Sequence, residues 1–208
     1  MIGKKTKDVG SLAVIGRPRA FDLDEALDSA LTVFWRKGYD GTSISDLTEA
    51  MGINPPSLYA AFGNKEKLFR KALDRYAEGR AGYWNRALEA PTARSMVEEL
   101  LRGTADFLTD KDNPPGCMFV QGALCCGEET DTIRRELNAR REAGEVAIRE
   151  RLKRAKAEGE LPADANPSDL ARYVGMLLEG MSVQAAAGAS RAELRRIVDM
   201  ALRTWPAR

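Results

Sequence analysis

Few side chains in this 208-residue chain could do covalent chemistry, and those few point away from an enzyme. Histidine is absent, which removes the commonest general base and the commonest zinc ligand. No GxSxG, Walker A or GxGxxG pattern occurs. What remains is three cysteines, Cys117, Cys125 and Cys126. As thiolates they could sense oxidants or electrophiles, with Arg134 and Arg135 supplying positive charge, although Glu128 and Glu129 lie closer and oppose ionisation. Cys117 and Cys125 are eight residues apart in sequence. That is about 12 Å along a helix, too far to hold one metal ion without rearrangement. A buried thiol otherwise serves as small apolar filler, and these three are read as inert or pocket-lining. No metal site and no cofactor are expected. A cysteine-based redox protein stands as the alternative.

The polar side chains of residues 43–62, SISDLTEAMGINPPSLYAAF, suit binding better than catalysis. Ser43 can cap a helix, with Asp46 three residues later as its partner. Ile44, Leu47 and Met51 then share one apolar face. Gly52 supplies the permissive backbone of a sharp exit, Asn54 caps a second helix, and Pro55 occupies its first position. On that second helix Leu58, Ala61 and Phe62 face inward, leaving Ser57, Tyr59 and Ala60 outward. Two short helices joined by a glycine-containing turn form a helix-turn-helix, whose second helix enters the DNA major groove.

Those helices need a body to position them, and the chain is long enough to supply one. With 44% apolar and 30% charged residues it reads as globular with a sizeable core. No run approaches the roughly 18 apolar residues of a membrane span, and Leu12–Ile15 is too short for a secretory signal, so a cytoplasmic protein is expected. Net charge is +1, but residues 1–20 hold Lys4, Lys5, Lys7, Arg17 and Arg19 against Asp8 alone, a local +4. Such an arm suits local phosphate contact.

Helical patterns follow one another, with no convincing alternation of strand type. The expected fold is all-α: a flexible basic arm at 1–16, a helix-turn-helix domain at 17–66, and a helical effector-binding and dimerisation domain at 67–208. The first helix opens at Asp22, with Glu25 in capping-box position, and ends at Gly38. The fourth starts after Asn64 and runs towards Trp84, its second half weakened by Gly79 and Gly82. Helices follow at about 93–109, 117–126 and 130–158, the first two separated by the DKDNPPG loop. Two more open at Asn166-Pro167 and at Ser190, the latter with Glu193 as a capping box. Leu170, Val174, Leu177, Leu178 and Met181 on one, with Leu194, Ile197, Val198 and Ala201 on the other, are the expected dimer interface of a two-fold four-helix contact. Trp84, Met96, Leu100, Phe107, Met118, Phe119, Gln121, Cys125, Tyr173 and Met176 are candidates for a cavity that would suit a small apolar or aromatic effector.

Over residues 17–76 the chain resembles the TetR family of bacterial transcription regulators. The resemblance is carried by GRPRAFD and ALTVFWRKGYDGTSISDLTEAMGINPPSLYAAFGNKEKLFRKAL, in which Gly38-Tyr39, Gly41-Thr42-Ser43, Leu58-Tyr59, Phe62 and Lys65-Glu66 hold the family's spacing. It implies an all-α homodimer that represses from a palindromic double-stranded DNA operator until a small molecule releases it. By position, Thr42 and Tyr59 match hydroxyl contacts to phosphate, with Ser43 beside Thr42 in the same motif, and Lys65 matches a basic contact at the start of the fourth helix. Asn54 and Ser57 are the polar groups able to reach base edges. Ala60 stands where the family often carries a larger reader. Gly-Arg-Pro-Arg resembles an AT-hook core, in which Arg17 and Arg19 would lie in a narrow A·T minor groove. A nonspecific architectural DNA binder using this arm is a further alternative.

Overall fold

Local signals in the chain stop and start its helices, and tertiary packing then sorts their faces. The computed structural model describes residues 21–124 and 130–206, among which all regular structure is helical. The elements are α1 (Leu23–Lys37), α2 (Ile44–Met51), α3 (Pro55–Phe62), α4 (Lys65–Leu88), α5 (Ala93–Leu108), α6 (Met118–Leu124), α7 (Asp131–Ala157), α8 (Pro167–Ala186) and α9 (Arg191–Thr204).

Asp22 Oδ1 accepts the backbone N–H groups of Asp24 and Glu25, although the reciprocal bond from Glu25 that would complete a capping box does not form. Ser43 and Asp46 do form a full capping box on α2, as do Ser190 and Glu193 on α9. Gly52 takes the left-handed conformation, φ 64°, that ends α2 and lets Asn54 cap α3 two residues later. The loop at 110–116 falls where its turn residues require. Residues 1–20, with Arg17 and Arg19, lie outside the described residues, as do Cys125 and Cys126.

Asp46 also receives Lys37 Nζ at 2.6 Å, tying the end of α1 to the start of α2. The Lys37 ammonium, followed by the Ser43 backbone and hydroxyl, holds this carboxyl well below the usual carboxylate range. Its stabilising effect is therefore complete above the ordinary value of 3.8 and is lost progressively as pH falls beneath it. Asp46→Asn should lower Tm at pH 7, and the gap from wild type should close on acidification below pH ~4. A gap that stays constant with pH would assign the effect to packing instead.

Helix α4 is the spine. Its first half packs with α1, which also contacts α2 and α6, and α4 continues onto α5. Helix α5 carries α8 and α9, while α7 lies against α6 and α8. The core is continuous from end to end. Phe34 meets Phe69 edge-on at 4.9 Å, Trp35 meets Tyr76 at 4.7 Å and stacks on Phe107 at 5.7 Å, and Tyr76 meets Phe119 at 4.9 Å. Trp35 Nε1 donates to the Gly116 carbonyl at 2.9 Å, joining the helix-turn-helix end to the loop before α6. Polar ties follow the same route: Arg70 to Glu136 at 2.7 Å, Arg140 to Asp74 at 2.7 Å, and the Thr130 hydroxyl to Asp40 at 2.9 Å. Gly103 allows α5 to approach α4, since a Cβ there would stand 2.6 Å from the Tyr83 ring. Gly79 has no neighbour among the described residues within 4 Å of such a Cβ, so close packing among them does not account for it.

Candidate functional site

Three surfaces could carry function. The first is the exposed side of α2 and α3. Leu58 and Phe62 are buried and anchor α3, which turns Tyr59 (48% exposed) and Ala60 outward. Asn54 spends its Oδ1 on the Ser57 N–H at 2.9 Å, so its amide NH₂ is the group left pointing out. Ser57 is half-buried and Ser43 is exposed, with the Ser43 hydroxyl engaged in its capping box. Lys65, at the N-terminus of α4, places its ammonium 4.4 Å from the Tyr39 ring centroid. Burial draws the Lys65 pKa down, with Asp40 and Asp46 opposing. Tyr59, Ser57, Asn54, Ala60 and Lys65 thus lie along one stretch of chain spanning α3 and the start of α4.

Thr42 departs from the sequence expectation of a hydroxyl offered to phosphate. It is 1% exposed, and its Oγ1 donates to the Gly38 carbonyl at 2.7 Å. That bond closes the α1–α2 loop, and the hydroxyl faces inward.

The second surface is a cavity of about 600 Å³, open on one side to solvent and lined by α4, α5, α6, α7 and α8. Trp84 and Phe119 line it as expected from the sequence, joined by Tyr76, Arg80, Tyr83 and Cys117. Met96 and Leu100 do not line it, because α5 turns both fully into the core. Phe107 stacks behind Trp35, and Met118 and Gln121 face a smaller cleft between α1 and α6. Tyr173 and Met176 sit on the outer face of α8, 37% and 66% exposed, and so cannot reach the interior. Conversely Leu178, expected at an interface, lines the cavity.

Sequence reasoning missed Arg80. It lies on α4 with Tyr76 four residues before it, Tyr83 three after and Trp84 four after, a spacing that places all four on one helical face. Its guanidinium carbon is 5.7 Å from the Tyr76 ring centroid, 5.2 Å from Trp84 and 5.5 Å from Phe119. That i, i+3, i+4 grouping of an arginine with aromatics was the available signal.

The third surface runs along α8 and α9. Val174, Met181, Leu194, Val198 and Ala201 are buried in the chain's own core against α5 rather than offered to a partner. The apolar residues left facing out are Met176 and Val183 on α8, with Ile197 and Met200 (45% and 55% exposed) on α9. Leu170 and Leu177 are half-buried, and Leu177 borders the groove between the two helices.

Comparison with known proteins agrees with this architecture. Residues 26–72 match the profile "Bacterial regulatory proteins, tetR family", and residues 93–201 match "Tetracyclin repressor-like, C-terminal domain". The chain is 37% identical to the HTH-type transcriptional repressor ComR of Escherichia coli over 92% of each protein. It is 30% identical to the uncharacterized HTH-type transcriptional regulator YezE of Bacillus subtilis, over 90% of this chain and 98% of that one. A cysteine mutant of the TetR family transcriptional regulator CifR, complexed with 26-bp double-strand operator DNA, superposes with a TM-score of 0.88. It is 46% identical and is covered at 100%, against 92% of this chain. With both halves matched and relatives aligned over nearly their whole length, the chain belongs to the TetR family of bacterial transcriptional regulators.

Proposed function

We propose that this protein is a homodimeric repressor that binds a palindromic operator through α2 and α3 and is released when a small molecule fills the cavity of α4–α8. The division into a basic arm at 1–16, a DNA-binding domain at 17–66 and an effector and dimerisation domain at 67–208 is part of this reading. So is a cytoplasmic location, where the DNA target lies. Tyr59, Ser43 and Lys65 contact phosphate, while Asn54 and Ser57 reach base edges past the small side chain of Ala60. Arg17 and Arg19 follow the adjacent minor groove.

The single observation that supports release by a ligand is the connection between cavity and reader. Tyr76 and Cys117 line the cavity, and Trp35 of α1 touches both sides of it, through the Tyr76 ring and the Gly116 carbonyl. A ligand acts only through its differential affinity for two arrangements of these contacts. The absence of histidine from the sequence supports a regulator over an enzyme. The cysteine-based redox reading is not favoured, because the relatives matched over nearly their whole length are transcriptional regulators; Cys125 and Cys126, on which that reading centres, lie outside the described residues.

Two substitutions test the DNA-facing part. Lys65→Ala should weaken binding to every duplex alike and reduce the slope of log K against log salt by about one. Arg17→Ala should instead relax preference for A·T pairs flanking the half-sites. Titrations in a salt series with operator and random duplex read both effects. If the Lys65 variant keeps the wild-type slope, its phosphate contact is wrong.

A further inference from the structure

The chemistry of the cavity is uneven. On its rim most charges are already matched: Arg140 meets Asp74 and Glu136 at 2.7 and 3.1 Å, Arg141 meets Glu179, and Glu145 meets Arg172 at 3.3 Å, while Glu142 is exposed to solvent at the mouth. At its floor, Arg80 has no carboxylate oxygen within 4.0 Å among the described residues. Its Nε donates to the Tyr83 hydroxyl at 3.3 Å and its Nη1 to Cys117 Sγ at 3.8 Å, both long. A guanidinium has five N–H donors, so three remain without a protein acceptor among the described residues. Beside it the Tyr76 hydroxyl, on a side chain 1% exposed, also has no hydrogen-bond partner among the described residues. Two side chains whose donors protein interiors normally satisfy thus leave donors open in the same cavity.

Aromatic rings answer part of the arginine's charge but none of its N–H groups. Tyr76, Trp84 and Phe119 surround the guanidinium carbon, giving cation–π attraction and a low-dielectric setting in which a charged hydrogen bond is strong. Leu108 and Ile148 extend an apolar wall from that point. A neutral aromatic ligand would fill the wall and leave the donors unmet. A carboxylate would accept two parallel bonds from the guanidinium fork and could take a third from the Tyr76 hydroxyl.

Resting on the reading of this cavity as the effector site, we infer that the effector is a small organic acid. Its carboxylate is held by Arg80 and Tyr76, and its apolar or aromatic body lies against Trp84, Phe119, Leu108 and Ile148. Arg80 then serves as the specificity determinant, selecting acids over neutral compounds of the same shape. The volume of about 600 Å³ is in the range that accommodates such molecules.

Calorimetric titration of the intact protein without DNA tests the assignment. Benzoate, 3-phenylpropanoate and octanoate are each compared with the corresponding primary amide, and inorganic phosphate is included. At least one carboxylate should bind saturably, one per chain, and at least tenfold more tightly than its amide. Arg80→Met should abolish that preference, and Arg80→Lys should retain part of it. If Arg80→Met fails to fold by circular dichroism, Tyr76→Phe, which removes only the unpartnered hydroxyl, should weaken the acid several-fold and leave the amide unchanged. Amides binding as tightly as acids, phosphate binding as tightly as the best acid, a folded Arg80→Met with unaltered acid affinity, or no saturation by any acid at millimolar concentration would overturn the inference. A second titration, of operator into the acid-bound protein, separates the two readings. Acid binding that depends on Arg80 but leaves operator affinity unchanged keeps the anion site and removes the effector role. Release driven by the amides does the reverse.

Discussion

Trp35→Ala should destabilise the protein by about 3–5 kcal/mol, the cost of deleting a large buried aromatic. Trp35 is 6% exposed and sits between the Tyr76 and Phe107 rings, so the vacated volume borders α1, α4 and α5 at once. Trp35→Phe keeps a ring in place but removes the Nε1 donor, leaving the Gly116 carbonyl without that bond, a cost of about 1–3 kcal/mol. Urea unfolding monitored by circular dichroism measures both. The Phe variant also bears on coupling: operator binding should persist in it, while release by ligand should weaken, because a contact between the cavity wall and α1 is gone. Equal stability of the Ala variant and wild type would mean the aromatic cluster does not hold the two ends of the molecule together.

The double substitution Ile197→Glu with Met200→Glu should give a folded monomer. Both side chains project from α9 beside the exposed Met176 of α8 and lie outside the buried core, so charge there should leave the fold intact. Losing the second reader removes the gain from joining two half-sites, and operator affinity should fall by about 10²–10⁴-fold. Light scattering after gel filtration gives the mass, and far-ultraviolet circular dichroism gives the fold. Val198→Glu on the same helix provides the contrast. Val198 is fully buried, and its substitution should unfold the chain instead of splitting a dimer. A native-size dimer from the double variant would place the interface elsewhere.

Helix boundaries were legible because their causes are local. Asp22, Ser43, Asn54, Thr92, Asn166 and Ser190 each cap within three residues of their own position, and Gly52 ends α2 by its own dihedral. Side-chain destinations were less legible where a helix is apolar on more than one side. On α9 the residues Leu194, Val198, Ala201 and Leu202 face α5, while Ile197 and Met200 face out, and periodicity alone ranks the two sets alike. The same ambiguity on α8 sent Tyr173 and Met176 to the cavity in the sequence reading and Leu178 to an interface, the reverse of where packing on α5 and α7 puts them. Thr42 carries the spacing of an exposed hydroxyl contact, yet its hydroxyl is drawn inward by the Gly38 carbonyl, a bond that exists only once the loop has closed. Arg80 was passed over because a charged residue on a long helix reads as solvent-facing until the rings three and four residues away are seen to enclose it.

Repression by a two-headed reader is tested most directly by fluorescence anisotropy with duplexes taken from the DNA upstream of the protein's own coding region. The intact palindrome is compared with a version in which one half-site is scrambled and with a random duplex of equal length, at one fixed salt concentration. The two half-sites should lie about one helical turn, 34–36 Å, or a multiple of it apart. Two chains should bind per intact palindrome, with affinity at least about 10³-fold above random duplex and a loss of most of that margin when one half-site is scrambled. Equal affinity for all three duplexes would contradict sequence-specific operator binding and leave only a nonspecific electrostatic contact.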